Sequence, residues 1–124
     1  MRKYVLVLAI DARHGDSVTA VLTSRPNGLP TDPACWQGNP RCGYYRGVPG
    51  GPLNKETWVD FNGIQALDDN DLARHVMQAR KKLLAVTVGS SVFCAVLRCL
   101  TGYDDLERRH ARLIGDLIAD LGCP

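Results

Sequence analysis

Lys3–Ser24, KYVLVLAIDARHGDSVTAVLTS, decides the fold. Tyr4 to Ile10 is rich in β-branched and aromatic residues. A seven-residue apolar run can be a buried strand or part of a buried helix; its length and flanking turn signals favour strand. Asp11-Ala12-Arg13-His14-Gly15-Asp16 carries turn chemistry, with Asp side chains that bond nearby backbone and a Gly that tolerates positive φ. Ser17 to Ser24 is β-branched again. A hairpin is the simplest connection for two strands this close in sequence. Its far end releases Thr23, Ser24 and Arg25 into a long loop, and chemistry is expected at that end.

The 124 residues suit one domain, 1–124, with a single core. A 45% apolar and 23% charged composition is that of an ordinary globular protein. A net charge of +2 excludes a histone-like nucleic-acid binder but not a local basic patch. The cysteines, at 35, 42, 94, 99 and 123, are odd in number and form no Cys-x-x-Cys. A secreted disulfide framework normally shows an even count. The apolar N-terminal run has no small-residue cleavage site after it, and no run approaches transmembrane length. A cytoplasmic protein with mostly reduced cysteines is therefore expected.

Residues 25–55 differ from their surroundings. They hold six of the seven prolines and six of the twelve glycines. Pro lacks an amide donor and Gly costs the most entropy to order, so no regular element is expected to fill this loop. Arg25, Arg41, Arg46 and Lys55 face only Asp32 in charge, and Arg41–Val48 could form a short strand. Glu56–Phe61 then alternates as a half-buried strand does, with Trp58 in the core. Asn62-Gly63 reads as a turn pair, and Ile64–Leu67 as a connector. Residues 1–67 are thus mainly β and 68–124 mainly α. Asp68–Asp71 is expected to open one helix, carrying Leu72 to Leu84. Ser90-Ser91 caps a second with Phe93, Val96, Leu97 and Leu100. Asp104-Asp105 opens a third that Gly122 and Pro124 stop. Strands first and helices last point to an α+β fold: a small antiparallel SH3-like barrel or open sheet followed by two to three C-terminal helices.

No cysteine spacing matches a zinc site, so no metal or cofactor is expected; Cys94 and Cys99 read as small buried hydrophobes. His14 reads as solvated in its turn, and His75 and His110 as lying on polar helix sides. Asp11 and Asp16 read as turn formers. Arg108, Arg109 and Arg112 read as a solvated face. The remaining cluster gathers Thr23, Ser24 and Arg25, Arg2 near the chain start, and Arg41, Tyr44 and Arg46 in the loop. Arginines with hydroxyls can hold a phosphodiester, and aromatic rings can stack an unpaired base. The alternative is that Thr23-Ser24 merely ends a strand and the arginines are solvated.

RKYVLVLAID, DSVTAVLTSRPNG and WVDFNGIQAL, in that order, resemble the PemK/MazF family of toxin ribonucleases. The resemblance covers about half the chain. It lacks the strand that usually precedes the position of Arg2, and the third helix is extra. It implies an SH3-like barrel, a homodimer, an antitoxin protein as partner, and metal-independent cleavage of single-stranded RNA through the RNA's own 2′-hydroxyl. By that pattern Thr23 or Ser24 holds the scissile phosphate and Arg2 acts as acid or electrostatic stabiliser. Two other readings stay open. One is a non-catalytic module on the same scaffold that grips a protein or nucleic acid with the 25–55 loop. The other is a small-molecule pocket near Trp36 and Tyr44.

Overall fold

The computed structural model describes residues 4–11, 13–38, 41–48, 54–68 and 90–124. Five strands, β1 (Tyr4–Asp11), β2 (Asp16–Thr23), β3 (Cys35–Gln37), β4 (Cys42–Gly47) and β5 (Thr57–Asp68), precede two helices, α1 (Ser90–Leu100) and α2 (Arg108–Leu121). The strands form one open antiparallel sheet in the order β1-β2-β5-β4-β3. This is the open-sheet form of the expected α+β fold. Arg2, His75 and the expected helix from Asp68 to Leu84 lie wholly or almost wholly outside the described residues. No described helix is long and apolar enough to cross a membrane.

The first hairpin forms as its sequence predicts, with Tyr4 opposite Leu22 and Asp11 opposite Asp16. Alternation along each strand sends Leu8, Val18, Ala20, Val59 and Phe61 to one face. There they meet Val96, Leu97 and Leu100 of α1 and Ile114 and Ile118 of α2. Trp58, one residue out of phase with Val59, is buried on the other face. Its ring lies 5.2 Å from that of Tyr45, and its indole N–H donates to the Pro30 carbonyl at 3.0 Å. The 25–34 segment therefore covers part of the sheet. Gly43 admits it closely: a Cβ there would come within 2.7 Å of the Leu29 side chain.

Asn62-Gly63 does not reverse the chain. β5 continues through it, pairing with β2 on both sides: Val21 faces Asp60, while Thr19 faces Gln65. A step of two along β2 thus matches a step of five along β5, and the surplus is absorbed as an irregularity at the dipeptide. Turn propensity marks a place where the backbone can bend; whether it folds back depends on what it pairs with next. β3 is a second departure, since a Pro- and Gly-rich loop still holds a three-residue strand at the sheet edge.

The cysteines require the largest correction. Cys35 bonds Cys99 and Cys94 bonds Cys123, leaving Cys42 free. The odd count is two pairs plus one thiol, so Cys94 and Cys99 are not reduced apolar fillers. Sequence spacing could not show this, because the first pair is 64 residues apart and meets only where α1 crosses β3. Burial, together with the charges of Asp104 and Asp105, pushes the Cys42 thiol above its usual 9.0 and so disfavours the reactive thiolate.

The last helix begins later than expected, at Arg108 rather than Asp104. Tyr103–Leu106 closes a turn instead, with the Leu106 amide on the Tyr103 carbonyl at 3.3 Å. Tyr103 and Leu106 pack against the core, and the Tyr103 ring sits 6.3 Å from Phe61. The end of α2 falls where expected: Gly122 takes φ 64°, and the amides of Gly122 and Cys123 bond Ala119 and Ile118 in a Schellman motif.

Candidate functional site

The two ends of the first hairpin differ in chemistry. At the open end, Thr23 faces Trp58 across β5, and Trp58 faces Tyr45 across β4. The Thr23 hydroxyl accepts the Arg25 amide at 3.1 Å, a local turn bond, while Ser24 and Arg25 are exposed. Tyr44 points the other way from Tyr45 and packs against the helix-covered core. Arg41 stands 3.7 Å from the Asp60 carboxylate. Arg46 is half-buried, and its Nε lacks a partner among the described residues. Thr23 and Tyr45 thus share a row, whereas Tyr44 sits on the opposite face and Arg41 is drawn to Asp60. Tyr45 donates its hydroxyl to Glu56 at 3.1 Å; burial first, then that bond and the Glu56 charge, raise its pKa above the usual 10.0.

At the turn end, local sequence forces a charge problem that tertiary structure resolves. Gly15 takes φ 67°, and the Asp11 carboxylate accepts the His14 amide at 3.2 Å, closing the turn. Hairpin register then sets Asp11 directly opposite Asp16. Like charges at that spacing repel. Arg109 of α2 bridges them: Nη1 lies 3.4 Å from Asp11 Oδ2, and Nη2 donates to Asp16 Oδ2 at 2.9 Å. His14 Nδ1 meets Asp11 Oδ2 at 2.8 Å.

Burial alone would push the Asp11 carboxyl up. The His14 amide and ring bonds, and the charges of His14 and Arg109, outweigh it and hold the carboxyl below the usual 3.8. The Asp16 bond raises the Arg109 guanidinium further, against its burial. His110 is 4% exposed rather than on a polar side, with Nε2 at 3.3 Å from Arg109 Nη2 and Nδ1 at 3.7 Å from Glu107. A guanidinium can only donate, so His110 Nε2 is the acceptor of that contact.

A depressed folded-state pKa stabilises the fold above the unfolded value, and that stability is lost as pH falls through the folded one. Asp11 therefore contributes stability that is full above pH 3.8 and lost below it. Acid titration of the unfolding midpoint is expected to show a weaker decline there in Asp11→Asn than in the parent chain. Equal slopes would mean that the Asp11 contacts do not persist in solution.

Beside this network lies an open cleft of ≈ 480 Å³, lined by Asp11, Arg13, His14, Arg108, Arg109, Arg112, Leu113 and Asp116. The guanidinium groups of Arg13, Arg108 and Arg112 make no ion pair or hydrogen bond with any described residue. Arg108 and Arg112 are one helical turn apart and so share a face of α2. Positive charge exceeds negative here, and the surplus groups are planar donors suited to phosphate or carboxylate.

In sequence alone each part of this cleft is ordinary. His14 between two aspartates reads as part of a turn, and the α2 arginines as a solvated face. No spacing in the sequence sets them apart: Arg108 follows Asp104 by four residues and Arg112 precedes Asp116 by four, as on an ordinary solvated face. Among the described residues, no three His, Cys, Asp or Glu side chains are placed to hold a metal ion. No protein-family model, curated protein or solved structure matches the chain.

Proposed function

We propose that the protein binds single-stranded RNA in the cleft between the first hairpin turn and α2. One observation carries this reading: three guanidinium groups without partners among the described residues converge with His14 on one cleft. The family resemblance of the strand sequences supplies the polymer, single-stranded RNA, and its cleavage. It also supplies the homodimer and antitoxin partner that such a toxin would have. Disulfides persist in oxidising compartments, so the two found here favour such a setting for the folded chain over the cytoplasm.

Each phosphate contact releases counterions, so affinity should fall with salt, by a slope of roughly 0.7 per contact for single strands. Arg108→Ala/Arg112→Ala is expected to weaken binding of a fluorescent 2′-O-methyl RNA and to flatten its salt dependence by roughly 1.4. Arg25→Ala/Arg46→Ala serves as the comparison, because it removes charge at the other end of the sheet. If that pair flattens the slope and the α2 pair does not, RNA runs over the 25–55 loop, as the binding-module alternative holds.

A further inference from the structure

The cleft holds one group that anion binding does not require. A carboxylate only accepts, so His14 Nδ1 donates to Asp11 Oδ2 at 2.8 Å, and this bond directs Nε2 away from Asp11. Among the described residues Nε2 has no partner, and the ring, 49% exposed, lines the same cleft as Arg13, Arg108 and Arg112. A carboxylate that orients an imidazole is the arrangement of a general base. Such a base needs an acidic hydrogen beside the group the arginines bind. RNA offers both within one nucleotide, the 2′-hydroxyl next to a phosphodiester, and DNA lacks the hydroxyl.

We propose that His14 is the general base of RNA cleavage in this cleft, with Asp11 as its positioning residue. The inference rests on the single-stranded RNA reading and moves the chemistry from Thr23 and Ser24 to the opposite end of the hairpin. His14 Nε2 takes the proton of the 2′-hydroxyl. The 2′-oxygen forms a bond to phosphorus as the bond from phosphorus to the 5′-oxygen breaks. The leaving oxygen takes a proton from water, and the imidazolium neutralises the hydroxide left behind. The products are a 2′,3′-cyclic phosphate and a 5′-hydroxyl, with no oxidant or reductant consumed. Arg108 and Arg112 face the charge that develops on the non-bridging oxygens.

The test uses the oxidised full chain with mixed-sequence single-stranded RNA in EDTA, with product ends mapped, beside binding of 2′-O-methyl RNA, which cannot be cut this way. The parent chain is expected to leave 2′,3′-cyclic phosphate ends. His14→Ala and His14→Gln are expected to lose at least about 100-fold in rate, in line with removal of a general base. The Gln variant keeps a hydrogen-bond donor for Asp11, so its loss reports the base rather than the turn. Added imidazole is expected to restore part of the His14→Ala rate. Asp11→Asn is expected to shift the pH profile of cleavage while 2′-O-methyl RNA still binds. A chain that does not bind 2′-O-methyl RNA overturns the RNA reading and this inference with it. A folded chain that binds and does not cut overturns the inference alone. So does cleavage that survives His14→Ala but is lost in Thr23→Ala/Ser24→Ala.

Discussion

Cys35→Ser/Cys99→Ser is expected to lose about 4 kcal/mol of stability. Cross-linking removes loop-closure entropy from the unfolded chain, and the gain grows slowly with loop length. A separation of 64 residues puts the entropic gain at about 4 kcal/mol, and the 29-residue separation of Cys94–Cys123 at about 3.5 kcal/mol. Both bonds are anchored on α1. One ties it to β3 at the sheet edge, the other to the residues just after α2, where Arg98 also donates to the Cys123 and Pro124 carbonyls. Small domains have stabilities of about 5–15 kcal/mol, so losing both should leave little folded chain. Urea unfolding of the parent, each Ser pair and the reduced parent measures this. A loss under about 1 kcal/mol for the Cys35–Cys99 pair would mean that apolar packing alone holds α1 on the sheet.

Phe61→Ala is expected to cost about 3–5 kcal/mol, the range for emptying a fully buried aromatic site. Phe61 is 0% exposed and lies where β5 begins its irregular stretch. Its ring joins the sheet to the Tyr103 turn between the helices. Collapse around the missing ring is limited on the sheet side by paired backbone and on the helix side by the Cys35–Cys99 bond. Ile10→Ala is the contrast: Ile10 is 66% exposed on β1, and its loss should change stability by no more than about 0.5 kcal/mol. The two variants differ in burial rather than chemistry, so equal costs would contradict the core assignment.

Local pattern was enough for much of this chain. Tyr4–Thr23 had to be a hairpin, because two β-branched runs flank a six-residue turn with Gly15 inside it. Alternation from Thr57 to Phe61 identified a strand and placed Trp58 in the core. Helical spacing in Val96, Leu97 and Leu100, and Gly122 after Leu121, located α1 and the end of α2. Each of these rests on interactions between residues a few positions apart, which the sequence displays directly.

Other features depended on residues far apart in the chain. Asn62-Gly63 bends rather than turns, since β2 pairs with β5 on both sides of it. The Cys35–Cys99 pair exists because α1 crosses β3, and no spacing rule encodes that crossing. The cleft has the same origin: Asp11 and Asp16 are brought together by hairpin register, and Arg109 arrives from a helix more than ninety residues later to bridge them. That bridge leaves Arg13, Arg108 and Arg112 without partners among the described residues, beside His14. A sequence records which charges a protein has, but whether each is neutralised, solvated or left to bind a ligand depends on three-dimensional neighbours, because electrostatic interaction falls with distance in space and not along the chain.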